Sequence, residues 1–175
     1  LEHLTEKFIS AEKIYDGKIL KVHRDTVMLP NNREATREVV DHPGAVAVVP
    51  ILDDGRIVLV KQFRYPIGKV TLEIPAGKLD NNEDPEECVA RELREETGYV
   101  AKQMIKLTSI YTAPGFTNEI IHLYIARDLV KKEVCPDEDE FVDVEIYTPS
   151  DINTMINNST ITDAKTLIGL LLAGR

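Results

Sequence analysis

Between Ala45 and Leu52 almost every position is apolar. A run of that length without polar alternation is the pattern of a strand buried on both faces. Asp53-Asp54-Gly55 then supplies a tight turn and predicts a hairpin into a second strand over 56–63. Shorter apolar runs predict strands over 70–74, 106–111, 120–126 and 141–147, with 112–119 as a loop. Upstream the alternation is partial. Residues 18–29 read as a strand, Pro30-Asn31-Asn32 as a turn, and 37–40 as the returning strand. A layer of this size is too small to be stable alone, so it must pack on the main domain or on a second subunit. His42-Pro43-Gly44 breaks the chain and divides it into a β layer over 1–42 and a main domain over 43–175. Ser150 and Thr162 are positioned as N-caps of two closing helices, the second carrying Leu167, Ile168, Leu170, Leu171 and Leu172. Strands around one central helix, with helices at the C-terminus, predict an α/β fold with helices on both faces of a mixed sheet.

The central helix is predicted over 85–97. Asp84 is a good N-cap, Pro85 suits the first helical position, and Glu87 stands three after Asp84 as in a capping box. Gly98 is placed to end the helix in a left-handed turn. Projected at ~100° per residue, Glu92, Glu95 and Glu96 share one arc, beside a face of Val89, Ala90, Leu93 and Thr97. Like charges so spaced each cost a helix roughly 0.2–0.5 kcal/mol, and Arg91, four from both Glu87 and Glu95, offsets part of that. Carboxylates beside a buried face are a hard-oxygen site suited to Mg²⁺ or Mn²⁺.

Composition narrows the classes. The chain has 175 residues, is 43% hydrophobic and 29% charged, and carries a formal net charge of −9. It can build an ordinary core, and its charge argues against binding a phosphate backbone such as nucleic acid. An anionic substrate would need metal ions and local arginines. No apolar run reaches the ~18–20 residues of a membrane span, and no signal-peptide pattern opens the chain, which starts at Leu1 as a trimmed start would. Cys88 and Cys135 make no disulfide framework; Cys88 reads as a small buried hydrophobe, and a reducing, cytoplasmic setting fits. The four histidines show no metal-ligand spacing.

From Gly77 the chain reads Gly, five residues, Glu83, seven residues, Arg91-Glu92-Leu93, one residue, Glu95-Glu96, one residue, Gly98-Tyr99. This resembles the Nudix box, Gly-x5-Glu-x7-Arg-Glu-U-x-Glu-Glu-x-Gly-U, where U is bulky and aliphatic. All seven specified polar and glycine positions match, a chance on the order of 10⁻⁸ per starting position at average usage. Tyr99 departs at the last U, a packing position. The resemblance covers roughly residues 5 to 170, about one domain, and implies an α/β/α sandwich with a mixed sheet.

It also implies a site. The box glutamates and the carbonyl before the first glycine are typical metal ligands in the family, which carries over to Glu92, Glu96 and the Ala76 carbonyl, with Glu95 as a further ligand or supporting group. Glu83 and Arg91, with Gly77 and Gly98, hold the loop-helix-loop in shape. Pro114, 16 residues beyond Gly98, and Glu119 resemble the proline-marked loop of the ADP-ribose pyrophosphatase subfamily. Arg37-Glu38 resembles that subfamily's substrate-contacting pair, supplied by the partner of a swapped dimer. Arg64, in Gln62-Phe63-Arg64, resembles its phosphate-contacting arginine. Asp137-Glu138-Asp139-Glu140 corresponds to the loop that brings a catalytic glutamate over the metals, with Glu138 as general base and Glu140 as an extra metal ligand; a shift of one or two residues would exchange these roles.

The reading that follows is Mg²⁺-dependent hydrolysis of the diphosphate of ADP-ribose by a cytoplasmic homodimer. Two alternatives stand: hydrolysis of another nucleoside diphosphate sugar, such as ADP-glucose or GDP-mannose, and a non-catalytic sensor, against which the complete box argues. Tyr15, Ile19 and Phe8 are all candidates to stack on the base.

Overall fold

A computed structural model describes residues 1–132 and 141–174. The chain forms two compact units, one of residues 1–44 with 111–120, the other of 45–110 with 121–175.

The first unit is a three-stranded antiparallel sheet in the order β1 (Lys7–Asp16), β2 (Lys21–Met28), β3 (Glu34–Asp41). β2 and β3 correspond to the two predicted strands, whereas β1 has no counterpart in the sequence pattern. Every residue of β1 is exposed, so no burial imposes a period of two on it. Its register also shifts twice, between Phe8 and Ser10 and between Lys13 and Tyr15. Each shift turns side chains to the opposite face and scrambles the alternation. The 111–120 segment docks on Val40 of β3. The Val40 N–H donates to the Phe116 carbonyl at 2.8 Å, and the Val40 carbonyl accepts from the Thr117 hydroxyl at 2.9 Å.

In the second unit, β4 (Ala45–Pro50) is buried on both faces, as its unbroken apolar run predicts. It lies between β7 (Ala76–Lys78), antiparallel, and β9 (Ile120–Lys131), parallel, in a four-stranded mixed sheet ordered β7-β4-β9-β8, where β8 spans Tyr99–Tyr111. A second sheet is ordered β10 (Asp143–Tyr147), β5 (Ile57–Arg64), β6 (Lys69–Glu73). Successive β4 side chains enter opposite cores. Val46 and Val48 pack with Cys88, Val89 and Leu93 of α1 (Pro85–Thr97). Ala47 and Val49 pack with Ile152 of α2 (Pro149–Asn157) and Leu170 of α3 (Ala164–Ala173). The unit is thus an α/β sandwich with helices on both faces. No helix of the described residues is long and apolar enough to cross a membrane.

Several boundaries differ from the sequence reading for local reasons. Asp84 caps α1, its carboxylate accepting from Glu86 N–H at 2.8 Å and from Glu87 N–H at 3.4 Å. Gly98 ends α1 with φ of 71° and turns the chain directly into β8, seven residues earlier than its apolar pattern begins. The last two helices are capped by Thr148 and Asp163 rather than by Ser150 and Thr162. Pro149 sits in the first turn of α2, which places its cap before the proline. On α1, Ala90 is exposed although it projects with the buried face.

Candidate active site

Ala76 and Gly77 lie in β7, at the edge of the mixed sheet. Val46↔Gly77 and Ala47↔Ala76 are register partners, and the Val48 N–H donates to the Pro75 carbonyl at 2.9 Å. Antiparallel pairs alternate between bonded and non-bonded positions, so Ala76 falls at a non-bonded one and its N–H and C=O point off the sheet edge. The Ala76 N–H is accepted there by Glu96 Oε2 at 3.0 Å. The Ala76 carbonyl therefore shares an edge with the Glu96 carboxylate.

Glu92 approaches the next residue. A Cβ at Gly77 would lie 1.9 Å from Glu92 Cδ, far inside contact distance, so the carboxylate occupies the space that a side chain would fill. Glu92 and Glu96 are buried, at 7% and 5% exposure, while Glu95 is half-buried. Arg91 compensates the charge. Its Nε and Nη2 grip Glu83 in two bonds of 3.0 and 3.1 Å, and its Nη1 reaches Glu92 at 2.8 Å and Glu95 at 2.9 Å. The Arg91 guanidinium, with the Asp80 N–H at 3.0 Å, holds the Glu83 carboxyl down at about 2. Burial, then the Glu83 carboxylate, pushes the Cys88 thiol up to about 12, which makes it an inert packing group.

The donors gathered here are all oxygens: buried carboxylates and an edge carbonyl. That set suits a hard divalent cation. Among the described residues, no three His, Cys, Asp or Glu side chains form a ready-made cation cage.

Arg64 ends β5. Its Nε and Nη2 donate to the two oxygens of Glu73 at 2.9 and 2.7 Å. Glu73 is 1% exposed and also accepts from Thr71 Oγ1 at 2.5 Å and from Lys165 Nζ. Burial alone would raise its pKa; Arg64, Lys165 and Thr71 together bring it to about 2. Sequence reasoning missed both Glu73 and Lys165. The available signal was a lone carboxylate between Leu72 and Ile74 in an otherwise apolar strand.

In the first unit, Arg37 and Glu38 of β3 and Pro114 line one cleft of about 350 Å³, with Tyr111, Phe116 and Asn118. Tyr111 and Phe116 are exposed aromatics that the sequence reading did not single out. Arg37 is paired with Glu6, through Nε at 3.0 Å and through Nη2. Glu119 lies at the foot of the loop, accepting from Thr112 Oγ1 at 2.6 Å, with His42 Nδ1 at 3.6 Å. Asn118 ties the loop to the end of β3, its Nδ2 donating to Asp41 Oδ1 at 3.2 Å and its Oδ1 accepting from the N–H of the following residue, His42, at 2.8 Å. Glu138 and Glu140 lie outside the described residues.

The chain matches the NUDIX domain over residues 41–167 and the nucleoside diphosphate sugar hydrolase N-terminal domain over residues 6–40. It is 46% identical over 170 residues to the ADP-ribose pyrophosphatase of Bacillus subtilis (strain 168), covering 95% of this chain and 91% of that one. It is 48% identical over 167 residues to the methanol dehydrogenase activator of Bacillus methanolicus, covering 94% and 90%. The crystal structure of an ADP compounds hydrolase superposes with a TM-score of 0.85 at 21% identity, covering 97% of this chain and 92% of that one, and shows the same fold.

Proposed function

The chain belongs to the Nudix hydrolase family, and from that premise we propose that it cleaves the diphosphate of ADP-ribose with water, giving AMP and ribose 5-phosphate, with Mg²⁺ as cofactor. The observation that carries this reading is the Glu96–Ala76 edge beside the Glu92 carboxylate, which fills the place of a Gly77 side chain. The Ala76 carbonyl, Glu92 and Glu96 would hold the cation, with Glu95 as a further ligand; Mn²⁺ would satisfy the same oxygens. When bound, the metal neutralises phosphoryl oxygens and lowers the pKa of water.

The chain's own groups do the rest. Arg91 screens the mutual repulsion of Glu92 and Glu95 and, through Glu83, ties the helix to its preceding loop. Arg64 presents a fixed cation to a phosphate oxygen. Glu138 takes the proton of the attacking water, Glu140 adds a metal ligand, and Glu95 is the next candidate base. Arg37, Glu38, Pro114 and Glu119 receive the nucleoside end, and the exposed aromatics Tyr111 and Phe116 offer faces for a base. We further propose that the 1–42 layer dimerises and contributes to the partner's site. The exposed strand β1, carrying Phe8, Ile9, Ile14 and Tyr15, supports this. A reducing cytoplasmic compartment suits the chain.

Hydrolysis of another nucleoside diphosphate sugar is the second reading, favoured by the match of residues 6–40 to an N-terminal domain of that broader class. The test is product identification across ADP-ribose, ADP-glucose and GDP-mannose with Mg²⁺, run in ¹⁸O water to locate the attacked phosphorus. The expected result is the highest kcat/KM for ADP-ribose. A higher value for another sugar selects the second reading, and no turnover of any member refutes the enzyme.

A further inference from the structure

Glu73 is saturated. Two Arg64 hydrogens, the Thr71 hydroxyl and the Lys165 ammonium fill the roughly four lone-pair directions of a carboxylate. Lys165 in turn bonds Asp163 at 3.0 Å. Asp163 caps α3 through the Thr166 N–H at 2.9 Å, and the Thr166 hydroxyl accepts the Ile74 N–H at 3.0 Å. The carboxylate is therefore fixed from β6 and from α3 at once.

The consequence falls on Arg64. A bidentate grip through Nε and Nη2 sets the plane of the guanidinium. It leaves the Nη1 edge of the fork outside the pair, on a side chain that is 41% exposed. A bidentate grip by itself would also serve a purely structural pair; what sets this one apart is the second cation, Lys165, which relieves Arg64 of being the sole counter-charge of Glu73. With Lys165 present, Glu73 is neutralised without drawing on the outer edge of Arg64.

We propose that Glu73 is a positioning residue that aims the outer edge of the Arg64 fork at a substrate phosphate, and that Lys165, from the first turn of α3, keeps Glu73 in that role. The inference rests on the reading of Arg64 as a phosphate contact. Preorganising a fork saves the loss of rotamer freedom on binding, so its removal appears in KM more than in kcat.

The experiment is a double-mutant cycle on KM for ADP-ribose with saturating Mg²⁺, using Arg64→Ala, Glu73→Gln and the double variant in the full chain. Arg64→Ala is expected to raise KM about ten-fold, as loss of a charge-assisted contact does. Glu73→Gln is expected to raise KM by about five-fold with kcat within about two-fold, and to add less than about two-fold on top of Arg64→Ala. Independent, multiplying effects would show that Glu73 acts only as a staple between β6 and α3, and would overturn the inference. Unchanged KM in Arg64→Ala would instead overturn the phosphate contact itself, and this inference with it. Arg64→Lys covers the case in which Glu73→Gln does not fold. Lysine keeps the charge but cannot form the two-point grip. It is expected to raise KM nearly as much as alanine does, and a wild-type KM would show that charge alone suffices.

Discussion

Gly77→Ala tests the site with a single methyl group. Gly77 has no positive φ, so the backbone accepts alanine without strain of its own. The cost is steric: the new Cβ would lie 1.9 Å from Glu92 Cδ and Oε1 and 2.4 Å from Oε2, where ordinary contact begins at 3.4 Å. The carboxylate must retreat by about 1.5 Å, away from a buried seat where Arg91 holds it at 2.8 Å. Overpacking of this kind costs ~1–3 kcal/mol. At 175 residues each kcal/mol lowers Tm by roughly 2–4 °C, so the fold should survive. Activity should suffer more, since a misplacement of about 1 Å costs on the order of 100-fold. Thermal melting and ADP-ribose turnover against Mg²⁺ concentration are the assays. The expected pattern is a modest fall in Tm, a fall in kcat/KM of about 100-fold or more, and a higher Mg²⁺ requirement. Shortening Glu92 to Asp in the same chain should recover part of the stability but not the activity. Turnover within about three-fold of the parent at unchanged Mg²⁺ requirement would refute the assignment of Glu92 as a ligand.

Glu96→Gln and Glu92→Gln should each lower kcat by orders of magnitude, and near-parental turnover of both at saturating Mg²⁺ would remove the metal site from α1. Glu138→Gln should cost kcat roughly 10²–10⁴-fold without changing the Mg²⁺ requirement, whereas Glu140→Gln should raise that requirement; a metal titration showing the reverse would exchange their roles. Glu83 and Glu73 have carboxyl pKa values held at about 2, below the ordinary 4.5, so their contribution to stability is complete above about pH 4.5 and is lost as pH falls toward 2. Tm measured from pH 7 to 2.5 should fall in that window, and less steeply in Glu83→Gln. Light scattering should return about twice 19.7 kDa; a fully active monomer would refute the dimer.

The periodic information in the chain was enough for the buried elements. β4 reads as doubly buried because a strand between two helical layers has no polar face to show, and its side chains do divide between the α1 core and the α2–α3 core. α1 was legible to its ends, because Asp84, Pro85 and Gly98 act locally on the backbone. The spacing of the Nudix box likewise identifies its carboxylates without coordinates. Elements that bury nothing were invisible: β1 has no hidden face, and its two register shifts erase what alternation it has. β7 has no counterpart among the predicted strands because three residues are too few for a period, and only pairing with β4 makes them a strand. Tertiary structure alone turned the Ala76 N–H toward Glu96, brought Pro114 to Arg37 and Glu38, and joined Glu73 to Lys165 across 92 positions of sequence. Local pattern records what a residue buries and how the backbone turns. It does not record which distant group meets a side chain, because that is set by how sheets and helices close on one another.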